Sequence, residues 1–229
     1  MKLYASALIF FAIIFSACIN SKKSNFNPVP GGEDYKIQEK VYAFEKIVEN
    51  KGGYGAENIP GWLAAYINGG IEEVERMSLY GSKYVFIGEN GSGNFGALSK
   101  WAGNYSLTQD FSRLAAARIE NRMVTAATLY PDDEYGVFFE LMVKKAYNAG
   151  YNGASLEDTY WIKLKADQDE QDEMNVSEVY DFFVFISIDK KIMQNIIMQM
   201  MTDVQAAVTV SRAQNNAINR LQQTFFEGF

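Results

Sequence analysis

YVFIGENGSGNFGALSKWAGNYSLTQDFSRLAAARIENRM, residues 84–123, is the stretch on which the fold turns. Its first four residues, Tyr84 to Ile87, are aromatic or β-branched, the composition of a strand. Because Lys83 to Gly88 is nearly apolar throughout, the pattern predicts a strand buried on both faces and central in its sheet. A glycine-rich turn follows, then a short helical piece ending at Ala102. A longer helix opens at Thr108 or Asp110 and carries Phe111, Leu114, Ala115, Ile119 and Met123 at helical spacing.

Working outward toward the amino terminus, Pro60 opens a segment in which Trp62, Leu63 and Tyr66 share a face until Gly69 and Gly70. Ile71, Val74 and Met77 suggest a further turn. Ile37, Val41, Phe44 and Val48 also fall at helical spacing, with Gly52 and Gly53 as the stop, so three short helices are expected before the strand. Residues 18–34 change to Ser, Asn, Lys, Pro and Gly, a composition with too little apolar surface to order itself, and read as a tether.

The first 17 residues read as a signal peptide. Lys2 supplies the positive start, LIFFAIIF at residues 8–15 is an unbroken apolar run, and Ser16 and Ala17 are small residues before Cys18. The run is too short for a membrane span of about 20 residues. A simple secretory signal would leave the chain's only Cys unpaired in an oxidising compartment. This segment resembles a bacterial lipoprotein signal, in which the Cys after a small-residue lipobox is lipid-modified and becomes the mature first residue. That resemblance assigns lipidation to Cys18, and the Phe15 position fits the looser lipoboxes of spirochaetes.

Beyond Pro131, the acidic residues Asp132, Asp133 and Glu134 favour a helix start, with Val137, Phe138, Leu141, Met142 and Lys145 along one side. TYWIKLK at residues 159–165 alternates as a half-exposed antiparallel strand, and VYDFFVFISI at residues 179–188 reads as a strong strand. Between them, Asp167, Asp169, Asp172 and Glu173 cluster as calcium ligands do, but the central Gly of an EF-hand is missing, and a solvated hairpin tip is the preferred reading. Residues 190–226 contain no Gly or Pro and predict one long helix. Along it Met193, Ile197, Met200, Val204, Ile218, Leu221 and Phe225 keep a four-three spacing, while Ser211 and Gln214 interrupt the apolar stripe. Those seven residues are the candidate interaction face, toward an envelope protein or a second copy, with core packing as the commoner use of such a stripe.

Several chemistries are disfavoured by composition. A formal charge of −7 makes phosphate-backbone recognition a poor fit, so no nucleic-acid partner is expected. The chain contains no His, and its single Cys precedes the folded region, which removes Ser-His-Asp, Cys-His and His-zinc machinery. Gly91, Gly93 and Gly96 form a GxGxxG spacing, yet the acidic strand end that a dinucleotide fold needs about 20 residues on falls in a helix, and a plain turn is favoured. Arg113, Arg118 and Arg122 could line an anion stripe, with ordinary ion pairs the favoured use. No cofactor or metal is expected, and the chain is read as a non-enzyme.

The strand YVFIG, the helix FSRLAAARIENRM, TYWIKLK, and VYDFFVFISIDKKIMQ leading into a helix resemble the small surface-antigen lipoprotein family described from helicobacters, which includes flagellar assembly lipoproteins. The whole chain also resembles uncharacterised spirochaete-type lipoproteins. The resemblance implies a strand-helix-strand-strand-helix core and an envelope or protein-interaction role, with no catalytic residues to carry over. The expectation is therefore an α+β domain over residues 35–229: a small, mostly antiparallel sheet with helices on one face, helices in front and a long helix behind. It would be lipid-anchored in the bacterial cell envelope, at the outer membrane, with a structural or protein-interaction role. The alternative is a ligand- or peptidoglycan-binding module built on the 91–96 turn with Trp101 and Tyr105, a carboxylate-dependent hydrolase if two carboxylates face each other there.

Overall fold

The computed structural model describes residues 43–130, 135–165 and 178–229. Five strands and six α-helices follow one another as β1 (Ile47–Asn50), β2 (Gly53–Tyr54), α1 (Gly61–Arg76), β3 (Lys83–Ser92), α2 (Phe95–Gly103), α3 (Asp110–Thr128), α4 (Gly136–Tyr147), β4 (Ser155–Lys165), β5 (Glu178–Asp189), α5 (Lys190–Ala207) and α6 (Arg212–Glu227). The strands form one sheet in the order β2-β1-β4-β5-β3, and every pairing is antiparallel. The α+β expectation holds in this form.

β5 is the strand on which the sheet is built. It pairs along its length with β3, from Lys83 opposite Asp189 to Ser92 opposite Tyr180, and on its other side with β4. The apolar run of β3 does not make it central: it is one of the two edges, β2 being the other. The continuity of the run has another cause, because both of its faces are covered. Tyr84 and Phe86 join Phe182, Val184, Ile186 and Ile188 in a core with α2 to α6, while Val85 and Ile87 join Phe183, Phe185 and Ile162 in a second core under Trp62, Leu63 and Val74 of α1. Helices therefore lie on both faces of the sheet, not on one.

The edge is closed by side chains. Glu75 of α1 accepts a hydrogen bond from the Val85 N–H at 2.8 Å, Arg118 of α3 donates to the Val85 carbonyl at 3.1 Å, and the two pair with each other at 2.8 Å. An ion pair thus takes the place of a neighbouring strand at one residue, and it does so from both sheet faces at once. The Arg118 guanidinium also lies over the rings of Tyr84, Phe86 and Phe229, at 4.8, 5.3 and 5.3 Å.

Three local expectations are corrected. Phe44 lies in a 3-10 turn and Val48 in β1, so the stretch before Gly52 and Gly53 enters a hairpin and does not continue a helix; Ile37 and Val41 lie outside the described residues. The two pieces expected after Pro60 are both present, since the run Gly61–Arg76 leaves helical geometry at Gly69 (φ −155°) and Gly70 (φ 70°), where the two glycines divide it. The single C-terminal helix is two, separated at residues 208–211. Ser211 restarts it with a capping box: its side chain accepts from the Gln214 N–H, and the Gln214 side chain accepts from the Ser211 N–H. The two polar residues that interrupt the stripe are the start signal of α6. On α4 the expected side also shifts: the buried face is Phe138, Phe139, Met142 and Ala146, and Val137 points to solvent at 65% exposure.

Glu75→Ala or Arg118→Ala is expected to cost roughly 2–3 kcal/mol, below the value for a fully buried pair because both groups keep some solvent contact. The double variant should cost less than the sum of the two, as read by urea denaturation. Ser211→Ala should cost about 1 kcal/mol in the same assay.

Candidate functional site

The helical layer does not cover its sheet face evenly. α2 packs on β5 and β3, and α3 and α5 on β3 and its surroundings, which leaves the β4 and β1 side of that face open beside α2. An open cleft of about 300 Å³ lies there, lined by Lys51, Phe95, Ser99, Ala102, Gly103, Thr159, Tyr160, Trp161 and Phe182. That volume is at the lower end of the roughly 300–1,000 Å³ that ligand pockets span.

Each lining group is held by a local device. Asn94 caps α2 by accepting from the Ala97 N–H at 3.0 Å, which sets Phe95 at the first helical position. Phe95 meets Trp161, Tyr180 and Phe182 edge-on, each with ring centroids 5.2 Å apart. Trp161 stands opposite Phe182 in the β4–β5 register, and their planes lie within 25° of each other. Edge-to-face pairs of this kind add about 0.5–1.5 kcal/mol each beyond their burial, so the aromatic floor is preorganised. Phe95 nevertheless keeps 39% of its surface exposed.

Lys51 is positioned by the buried Asn50 behind it. The Asn50 amide donates to the carbonyls of Gly55 and Glu57 at 2.8 and 2.9 Å, and its Oδ1 accepts from the Gly52 N–H and the Tyr160 hydroxyl, both at 2.6 Å. Four hydrogen bonds thus tie that side chain to the β1–β2 turn, to the segment after β2 and to β4. The Lys51 Nζ donates to the Thr159 carbonyl at 2.6 Å and stands 3.8 Å from Asp158 Oδ1. Burial pushes the Tyr160 phenol above its ordinary range, so it stays a donor to Asn50.

The residues singled out from sequence fare differently. Met193, Ile197, Met200, Val204, Ile218, Leu221 and Phe225 are all inside the core, at most 4% exposed, because the break at residues 208–211 folds α6 back onto α3. Trp101 and Tyr105 pack on each other beside the cleft without lining it. The Tyr105 ring lies against Gly88, where an added Cβ would sit 2.8 Å from it, and burial raises the Tyr105 phenol far above its ordinary value. Of the GxGxxG set, Gly91 belongs to β3 and none of the three has a positive φ. Arg118 pairs with Glu75 and Arg122 caps α6 by donating to the carbonyls of Thr224 and Phe225, so these two serve the structure, while Arg113 is largely exposed and pairs with Asp110 at 3.8 Å; the three do not form one stripe. Cys18, Asp167, Asp169, Asp172 and Glu173 lie outside the described residues. Among the described residues no group of three His, Cys, Asp or Glu could hold a metal ion, and no helix is long and apolar enough to cross a membrane.

Sequence reasoning missed the central residues of the cleft. Lys51 is found by the Asn50-Lys51-Gly52-Gly53 run after β-branched Ile47 and Val48, which is a hairpin signal. Trp161 and Phe182 carry no signal of their own, since only strand register makes them neighbours. Also passed over were Ser187 and Lys190, spaced as in a Ser-x-x-Lys motif. Ser187 is 1% exposed and donates to Glu157, while the Lys190 Nζ donates to the Gly81 carbonyl at 2.9 Å, so each has its own structural partner.

Glu157 and Asp158 are adjacent carboxylates at a β-bulge of β4, outside the cleft lining. Burial raises the Glu157 pKa, but the hydrogen bonds from Lys83 and Ser187 outweigh it, and the net shift is downward. The fold therefore binds the carboxylate form. Its contribution is present above the ordinary value of 4.5 and is lost as pH falls through the lowered one. Glu157→Gln should be less stable than the parent at neutral pH, with the gap closing on acidification below about pH 4.5, as measured by urea denaturation at successive pH values.

Comparison of the chain with family models, with curated proteins and with solved structures gives no match.

Proposed function

We propose that this chain is a lipoprotein of a bacterial envelope, held at the outer membrane by acyl chains on Cys18 and a tether over residues 18–34, and that its folded domain recognises a partner molecule through the cleft between α2 and β4. The anchor is supported by the apolar run at residues 8–15 closed by Ser16, Ala17 and Cys18. Several acyl chains on one Cys, at about 0.8 kcal/mol per buried methylene, would hold it permanently.

One observation carries the recognition reading. The centre of β5 and residues 84–88 of β3 are buried on both faces, yet Phe95 and Trp161 leave an aromatic surface open beside them, bordered by a half-exposed ammonium. A concave apolar surface with a few fixed polar groups is the usual form of a binding site. The stripe on α5 and α6 is occupied by the core, so a partner would meet the cleft instead. The lining offers a cation, three hydroxyl-bearing residues and aromatic rings and no carboxylate, which favours a binding module over a carboxylate-dependent hydrolase.

The test has two arms in intact cells. Mass spectrometry should find a mature chain beginning at acylated Cys18, and Cys18→Ala should accumulate as an unacylated longer form; an unmodified Cys18 on soluble protein overturns the anchor. A photo-crosslinking residue at Ser99, in the cleft lining, should capture a neighbour that the same residue at Leu79, exposed elsewhere, does not. Equal capture at both positions, or none at Ser99, overturns recognition through the cleft.

A further inference from the structure

The outer face of α4 is bare, and its side chains are ordered so that the face complements itself. Phe138, Phe139, Met142 and Ala146 enter the core, while Val137, Glu140, Leu141, Lys144 and Tyr147 recur at three- and four-residue spacing on the other side and stay exposed. α3 extends the same surface. The two helices run antiparallel, fixed at one end where the Tyr135 hydroxyl donates to the Ala127 carbonyl at 2.7 Å and at the other where the Tyr147 hydroxyl donates to Glu120 at 3.0 Å. Val124, one turn on from Glu120, therefore stands at the level of Leu141. Val124, Val137, Leu141 and Tyr147 keep between 36% and 65% of their surface exposed. Glu140 and Lys144 are four apart, the ordinary spacing for a pair along one helix. Among the described residues neither makes an ion pair, whereas the next residue, Lys145, pairs with Asp203 of α5 at 2.7 Å.

A contiguous exposed apolar patch set among charges marks a contact surface, and the order of the charges says with what. From Val137 to Tyr147 the stripe reads apolar, acidic, apolar, basic, aromatic over about 15 Å of helix. Turned end over end about the level of Met142, the series fits onto itself. Val137 meets Tyr147 of the second copy, Glu140 meets Lys144 of the second copy, and Leu141 lies beside the two-fold axis against its own mate. From this order we infer that α4 pairs antiparallel with α4 of a second copy of this chain, an isologous contact in which each charge pair occurs twice. A parallel pairing sets Lys144 on Lys144 and Glu140 on Glu140, so the charges select the antiparallel register. A lipid surface is a poorer occupant, because Glu140 stands among the apolar residues of the stripe. So short a stripe buries less than the roughly 1,200–2,000 Å² of a stable interface, and the contact is weak unless the copies are held near each other. α4 contributes no residue to the cleft lining, so a dimer presents two clefts at once.

The test is made in intact cells, with the full chain carrying a photo-crosslinking residue in place of Val137. The parent should give a product of two chains, its crosslink mapping near Tyr147 of the second copy. Glu140→Lys alone, or Lys144→Glu alone, should lower that product about tenfold, because each sets like charges where opposite ones stood. Co-expression of the two variants under different tags should restore it as a product containing one of each, since every charged contact is then again between opposite signs. A pair within one helix cannot give that rescue, and the rescue itself shows that both variants fold. No two-chain product, a crosslink to another protein or to lipid in its place, single variants that associate as the parent does, or no rescue in the mixture each overturns the inference. Capture at Ser99 reads the cleft alone, so recognition through the cleft and pairing through α4 stand or fall separately.

Discussion

The Glu75–Arg118 pair at Val85 is the contact on which the arrangement of layers depends. A strand at a sheet edge exposes N–H and C=O groups that attract other strands. Here a carboxylate from α1 and a guanidinium from α3 take up the two groups of one residue from opposite faces. The same pair therefore ties the α1 layer, the edge strand and the larger helical layer together at one point. Its low exposure keeps the charges only partly hydrated, so neither partner is well accommodated without the other.

Closing the molecule at β3 has a consequence at the opposite side of the sheet. The helical layer is centred over β3 and β5, with Tyr84, Phe229, Phe225 and Arg118 packed into one corner. Arg122 adds to this by capping α6 against α3. Helices concentrated there leave β4 and β1 with less cover on the same face. Phe95, at the start of α2, reaches toward the gap without closing it, and the cleft is what remains. Trp161 and Phe182 of its aromatic floor belong to the same sheet as the core, so their geometry is as rigid as the β4–β5 pairing that sets them opposite each other.

How much of this was legible varied with the range of the interaction. β3, α2, α3, β4 and β5 each appear where local pattern puts them, because apolar spacing and capping act within a few residues. The position of β3 at the edge was not legible, since an apolar strand covered by helices on both faces has the same composition as a central one. Nor was the hairpin at Lys51: Val48 and Phe44 fit a helical period by coincidence, and pairing of β1 with β4 decides the matter. The stripe on α5 and α6 was visible but said nothing about what faced it.

By itself, the amino-acid sequence determined the class of the fold, most of its elements, the acidic balance, and the absence of His from every possible site. All of these follow from composition or from contacts a few residues long. Only the tertiary structure decided that β3 lies at the edge, that Glu75 and Arg118 meet across 43 residues of chain, and that Lys51, Phe95, Trp161 and Phe182 share one cleft. Those neighbours are brought together by strand register and by the packing of one helical layer, and neither leaves a mark on any single residue.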